Sequence, residues 1–294
     1  MSEQIIKVER LEKKYKKRIA LNDINIEVKK GKVVGLLGKN GAGKTTLNRL
    51  IAGLIFPTSG NIKVFGENPK GGQRKIGFLS ENISLYPNLT ARENLEVVIL
   101  QEGKTPDREK IQKILETVAI EDSRKKVKDF SLGMKRRLQI AMTMLANNRE
   151  LLILDEPTNG LDLDGVLWLK NMILQLKNEG KTILLSSHSI LQMEDILTDY
   201  LILNKGKIAD YGNISRIIEE VLHTKLNYED IEKAKSLLTT NNVEFRQIDN
   251  EMIITLDEEY SHYLQILNNC GIYPISYDVK KKSLVDRFHK YTGR

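Results

Sequence analysis

The sequence predicts an α/β fold in two parts: a parallel sheet with helices over residues 1–212, and a smaller α+β domain over 213–294. Two observations carry the first part. Three near-continuous apolar runs, KVVGLLG (32–38), LLILDE (151–156) and TILLSSH (182–188), have the length and texture of strands buried on both faces. Longer amphipathic stretches alternate with them, as in βαβ units. A third observation separates the parts: after Gly212 short strands and helices follow in a different order.

The first of these strands runs into GKNGAGKTT (38–46), and a helix, LNRLIAGLI, follows. This is G-x-x-x-x-G-K-[ST] between a strand and a helix, the setting that gives the pattern its meaning. Gly38, Gly41 and Gly43 let backbone N–H groups turn inward around phosphates, with Asn40 and Thr46 in the same loop, and the helix N-terminus adds its dipole. Lys44 supplies a point charge to the β- and γ-phosphates of a nucleotide, and Thr45 a hydroxyl for Mg²⁺.

Residues 88–150 have few strand-like runs and read as an inserted helical subdomain. Thr90 and Glu93 form a capping-box pattern that opens the helix ARENLEVVILQE. A second helix runs through REKIQKILETVAI, and DFSLGMKRRLQIAM opens a third, with Ser131 as its N-cap. LLILDE then places Asp155 at the tip of a buried strand and Glu156 beside it. A carboxylate there suits Mg²⁺, and the adjacent one could take a proton from an attacking water. LWLKNMILQLKNEG (167–180) reads as a helix stopped by Gly180, with Trp168 a packing residue. TILLSSH carries His188 to the same sheet edge, where ligands of open parallel sheets sit.

Beyond Gly212, a short helix (ISRIIEEVL) leads to a strand, TKLNY, and a helix, YEDIEKAKSLLTT. Two strands, VEFRQI and EMIITL, turn at Asp249-Asn250. The helix EEYSHYLQILNNC, the strand IYPISYDV and a last helix complete the part. The order β-α-β-β-α-β is the ferredoxin-like pattern. Nothing in it has catalytic spacing.

Bulk composition agrees with a soluble intracellular protein. Of 294 residues 40% are apolar and 29% charged, no apolar run nears the roughly 18 residues of a membrane span, and no signal peptide opens the chain. Cys270 is alone, which excludes an intrachain disulfide. The net charge of +7 sits unevenly: up to Asp210 there are 35 Lys and Arg against 26 Asp and Glu, and beyond it 11 against 13. Runs such as KKYKKR (13–18) read as a solvated basic face near a nucleotide, or as a face toward a membrane surface. Apart from Tyr15 they lack the interleaved aromatics of a single-strand binder, so no nucleic-acid partner is expected.

With these residues assembled, the chain resembles the nucleotide-binding subunit of ABC transporters over about 1–215. GKNGAGKTT resembles the family's Walker A and LLILDE its Walker B. NGLD (159–162) is similar to the D-loop, whose Asp162 the resemblance places at the nucleotide; His188 is similar to the switch histidine, and Tyr15 sits where the family stacks an aromatic on adenine. The signature, usually L-S-G-G-Q, is here Phe130, Ser131, Leu132, Gly133 and Met134. Ser131 and Gly133 keep the hydroxyl and the unobstructed N–H that a γ-phosphate requires. IGFLSEN puts Glu81 where the family has a Gln; a carboxylate there can meet Mg²⁺ but adds negative charge near the phosphates. Both departures are similar to those of the subgroup exporting bacitracin, lantibiotics and related peptides, as are the roughly eighty-residue tail and SLVDRF.

The resemblance implies a P-loop NTPase fold of ABC type and an ATPase using ATP and Mg²⁺. It implies a homodimer in which Ser131 and Gly133 of one subunit complete the site built on Lys44 and Thr45 of the other, with Glu156 as base. It also implies a separate transmembrane permease, docked near 81–94, and a cytoplasmic, peripheral place on the inner face of the plasma membrane. Two other readings stand beside it: a soluble ABC ATPase of translation or DNA repair, and a non-hydrolysing nucleotide sensor. One phosphate loop without sustained heptads argues against the first, and Lys44, Asp155 and Glu156 against the second. For the C-terminal domain a dimer support, a regulatory module and a permease contact all remain open.

Overall fold

The computed structural model describes residues 3–69, 75–80, 83–145, 149–187, 190–216, 220–256, 259–281 and 283–293. Two compact units divide them: 1–212 with 288–294, and 213–287.

The first unit begins with a long antiparallel pair, β1 (Gln4–Tyr15) and β2 (Arg18–Lys29). It continues through β3 (Val33–Leu37), α1 (Lys44–Ile51), β4 (Ser59–Val64) and β5 (Ile76–Leu79). Three helices follow, α2 (Ala91–Gln101), α3 (Arg108–Thr117) and α4 (Leu132–Met144). Then come β6 (Leu151–Asp155), α5 (Leu163–Asn178), β7 (Thr182–Ser186), β8 (Asp199–Asn204) and β9 (Lys207–Asn213).

Two sheets result. One has the order β2-β1-β4; the other has six strands in the order β5-β6-β7-β3-β8-β9, parallel from β5 through β8. Every residue of β3, β6 and β7 is buried, which accounts for their unbroken apolar runs. β1 and β2 read differently, because each pairs antiparallel with one half-solvated face and several register shifts, so charged residues interrupt them. Between the sheets lies a core in which Leu11, Leu21 and Ile24 meet Leu47 and Leu50 of α1 and Leu36, Ile153 and Leu184 of the six-stranded sheet.

The helical layer has its own core, with Leu95, Ile111, Leu115, Phe130 and Leu138 buried together. Its caps follow the sequence. The Thr90 hydroxyl accepts from the Glu93 amide at 3.2 Å, and Glu93 returns the bond to the Thr90 amide at 2.6 Å. Ser131 caps α4 by accepting from the Met134 amide at 3.2 Å. Trp168 packs against this layer, donates to the Thr117 carbonyl at 3.2 Å and carries the Arg137 guanidinium over its ring.

The second unit contains β10 (Glu220–Lys225), α6 (Ile231–Thr240), β11 (Phe245–Ile248), β12 (Glu251–Thr255), α7 (Tyr260–Asn269), β13 (Ser276–Lys281) and the start of α8 (Leu284–Thr292). Its sheet order is β11-β12-β10-β13 and every pair is antiparallel. Leu222, Met252 and Ile254 pack against Ala234, Leu238, Tyr263 and Leu267 of α6 and α7. The helix expected over ISRIIEEVL is replaced by a 3₁₀ turn at Ile214–Arg216 and, from Glu220, by the central strand β10. Ile214, Ile217, Ile218, Val221 and Leu222 have helical spacing, but β10 is hydrogen-bonded on both sides, and that ladder overrides the local pattern. The last helix crosses the division: Phe288–Arg294 group with the first unit, where the Tyr291 carbonyl accepts from Asn204 Nδ2 at 2.7 Å.

Because Leu36 is fully buried where α1, the antiparallel sheet and the parallel sheet converge, Leu36→Ala should cost about 2–5 kcal/mol. Denaturant unfolding checks this, and a loss below about 1 kcal/mol would mean that the site collapses around the smaller residue.

Candidate functional site

The carboxyl ends of β3 and β6 deliver the loop 38–46 and the pair Asp155-Glu156 to one edge of the sheet. Gly43 caps α1 with φ +112°, and a Cβ there would lie 2.7 Å from Leu21 Cδ2 and 2.8 Å from the Ala20 carbonyl. Both the backbone and the space therefore demand glycine. Around this loop opens a cavity of about 720 Å³ lined by Tyr15, Asn40, Gly41, Gly43, Lys44, Thr45, Thr46 and Glu156. These eight positions were all named from sequence. Gly38 is not in the lining, but its carbonyl accepts from Lys44 Nζ at 2.7 Å.

Lys44 is 7% exposed. Burial pushes its ammonium below the usual value near 10.5, against the opposing pull of Glu156 and Asp155. An anion entering the cavity would meet a poorly solvated cation, which strengthens the attraction.

Asp155, 1% exposed, lies beneath the cavity rather than in its wall. Its Oδ1 accepts from Asn48 Nδ2 at 3.2 Å and from the Ser186 hydroxyl, and Asn48 Nδ2 also reaches Ser186 Oγ at 2.7 Å. Asp155 Oδ2 and Asn48 Oδ1 are buried with no hydrogen-bond partner among the described residues. Unpartnered oxygens beside a hydroxyl-bearing phosphate loop fit a hard divalent cation. Among the described residues no cluster of three His, Cys, Asp or Glu could hold such an ion alone, so phosphate oxygens would complete its shell.

Glu156 adopts φ +51°, left-handed for a residue with a side chain and followed by proline. Such a conformation costs roughly 1–3 kcal/mol and persists only where its surroundings over-determine it. Its amide donates to the Ser186 carbonyl at 2.7 Å, and its own carbonyl accepts from Arg136.

Ser131 and Gly133 do not line this cavity. They sit at the exposed start of α4, beside the 159–161 turn. Leu132, 68% exposed, covers Gly160, whose φ is +81° and whose added Cβ would lie 2.7 Å from Leu132 Cγ. The larger residue in the signature thus has its space from Gly160, a residue without a side chain. Asp162 is engaged locally, capping α5 by accepting from the Gly165 amide at 2.8 Å. Glu81 and His188 lie outside the described residues.

Four residues at the site were not singled out from sequence. Arg18, the cross-strand partner of Tyr15 at the tip of the β1–β2 hairpin, lines the cavity with Arg49 and Asn159. Asn48 was legible in principle: one turn beyond Lys44, it is a polar residue on the buried side of α1, beside Leu47 and Ile51. Nothing local marks Arg18 within its basic run.

The family described as ABC transporter matches residues 21–159. The bacitracin transport ATP-binding protein BcrA of Bacillus licheniformis is 37% identical over 98% of this chain and 97% of its own. The lantibiotic transport ATP-binding protein SrtF of Streptococcus pyogenes is 40% identical over 76% of this chain and 99% of its own. Among solved structures, an ATP-binding subunit of an ABC transporter aligns with a TM-score of 0.64 at 29% identity, covering 72% of this chain and 91% of that one. A dimeric post-hydrolysis state of the ATP-binding cassette MJ0796, bound to ADP and Pi, aligns with a TM-score of 0.65 at 26% identity, covering 71% and 99%.

The depressed Lys44 means that the folded protein holds this proton less tightly than the unfolded chain, so its burial opposes folding at neutral pH and does so less as pH rises toward 10.5. Lys44→Met should therefore abolish ATP binding while stabilising the ligand-free protein at neutral pH. Unfolding measured from neutral to alkaline pH should show the gain over wild type narrowing; a gain that widens would contradict the assignment.

Proposed function

This chain belongs to the ABC transporter family as an ATP-hydrolysing, ATP-binding subunit of the bacitracin and lantibiotic type, and from that premise we propose that it works as a homodimer driving a separate membrane permease to export a peptide antibiotic or similar compound. The reading is supported above all by the division of the site: the cavity gathers Tyr15, Lys44, Thr45, Thr46 and Glu156, while Ser131 and Gly133 stand outside it on an exposed helix start. A second copy supplies what the first lacks.

In this mechanism adenine stacks on Tyr15, and the amides of the loop and Lys44 hold the phosphates. Mg²⁺, when bound, would neutralise charge on the phosphates; Thr45 and Asp155 would hold it, with Glu81 as the further ligand that the sequence resemblance suggests. Glu156 takes the proton of the attacking water, and His188 contacts the γ-phosphate. The Ser131 hydroxyl and Gly133 amide of the partner approach the same phosphate with the N-terminal dipole of α4 behind them. Loss of the γ-phosphate removes the group both copies share, and the dimer opens. Asp162, though it caps α5, is carried by the turn that Leu132 covers, where the dimer closes.

No helix among the described residues is long and apolar enough to cross a membrane. In this reading attachment to the cytoplasmic face of the membrane runs through the permease, for which the segment 81–94 is the docking surface. Its described part includes Ile83, Leu85 and Pro87, which line an open groove beside α4.

Glu156→Gln should bind ATP, turn it over only at a slow residual rate and sediment as a dimer in ATP but not in ADP. Adding Ser131→Ala and Gly133→Asp should return it to a monomer that still binds ATP. A Glu156→Gln protein that stays monomeric with ATP bound would sink the shared site. Resistance to a peptide antibiotic, conferred together with the permease and lost in Lys44→Ala, tests export.

A further inference from the structure

Arg136 lies on the second turn of α4, five residues beyond Ser131, and is only 4% exposed. Burying a guanidinium costs several kcal/mol unless its donors are satisfied. Here they are spent on the backbone around the base. Nη2 donates to the carbonyls of Asp155 (2.9 Å) and Glu156 (2.5 Å), and Nε to that of Pro157 (3.4 Å). Nη1 donates to Gln139 Oε1 at 3.0 Å, and Gln139 Nε2 donates to the Ile83 carbonyl at 2.7 Å. Arg136 and Gln139 line the groove of about 480 Å³ that Ile83, Leu85, Leu132 and Asn159 also line.

The three carbonyls bracket the one residue of this turn that holds a left-handed backbone, Glu156. With its amide fixed to Ser186 and its carbonyl to Arg136, the direction of its side chain is set by two elements, β7 and α4. A base must stand within about 3 Å of the proton it takes, and a misplacement of about 1 Å can cost a hundredfold in rate. We propose that Arg136 is the positioning residue of Glu156, through which the helix bearing Ser131 and Gly133, and the 83–87 wall of the groove, set the geometry of the base in the same chain. The proposal rests on the reading of Glu156 as the general base. A displacement of α4, or of Ile83 by an occupant of the groove, moves the guanidinium and with it the Glu156 backbone. Contact of one subunit's Ser131 with its partner's ATP is thereby coupled to the subunit's own Glu156.

The test uses the purified full-length protein, with ATP binding and turnover measured separately and rates normalised to bound nucleotide. Arg136→Gln should lower kcat by about tenfold to a hundredfold and leave KM for ATP within about twofold. Arg136→Lys, which keeps the charge but gathers its donors on a single nitrogen, should fall between. In single turnovers with labelled ATP, Arg136→Gln should slow Glu156→Gln no further, because the group it positions is already gone. Equal loss in both backgrounds, or unchanged kcat in Arg136→Gln, overturns the proposal while leaving the base in place. If Arg136→Gln does not fold, Arg136→Lys in the two backgrounds carries the same comparison. Wild-type turnover by Glu156→Gln alone would instead remove the base reading, and the proposal with it.

Discussion

Lys44 and Asp155 are both buried at the carboxyl end of a parallel sheet, and the surrounding structure is organised to supply polar partners to two ionisable groups held away from water. An unsatisfied buried charge is costly, so each has a fixed polar partner. Lys44 is held on the Gly38 carbonyl, which closes the phosphate loop on itself. Asp155 is held by Asn48 and Ser186, which join α1, β6 and β7 at a single carboxylate oxygen. Among the described residues the same network leaves one oxygen of Asp155 and one of Asn48 without partners, a pair whose chemistry fits a hard divalent cation. Stability is given up locally, and the core beneath, from Leu36 to Leu203, supports it.

A second constraint operates one residue further along. Glu156 leaves β6 in a left-handed conformation before a proline, and three elements hold it there: β6 itself, β7 through the Ser186 carbonyl and α4 through Arg136. The helical layer is therefore not an appendage on the sheet. Its core around Leu115 and Leu138 carries α4, with the exposed Ser131 cap at its start and the buried Arg136 on its second turn. Leu132 closes over Gly160 at the same end, so the departure from the usual signature is absorbed within the chain by a residue without a side chain.

The chemistry-bearing loop and its flanking strands were legible because each part is local. GKNGAGKTT needs only its own glycines and the strand and helix beside it, and LLILDE needs only a buried strand with a polar tip. The Thr90 and Ser131 caps were legible for the same reason, since capping is decided within four residues. Strands with a solvated face were harder: β1 reads as charged as it does apolar, and its pairing with both β2 and β4 is a long-range fact. ISRIIEEVL failed for the opposite reason. Its local pattern is a good helix, and only hydrogen bonds to β12 and β13 make its last three residues, Glu220 to Leu222, part of a strand.

What the sequence by itself determined is therefore the kind of site: a phosphate loop, a strand-end acidic pair and a hydroxyl-capped helix, each a short stretch whose conformation its own residues dictate. Tertiary structure alone decided which of them share a cavity. It brought Tyr15 and Arg18 over the loop, placed Asp155 beneath rather than within the cavity wall, and left Ser131 and Gly133 outside it. It also enlisted Asn48 and Arg136, which no motif marks. The physical reason is the same throughout: local propensity fixes where a backbone turns, whereas satisfying a buried charge depends on which distant groups the packing brings within three ångströms of it.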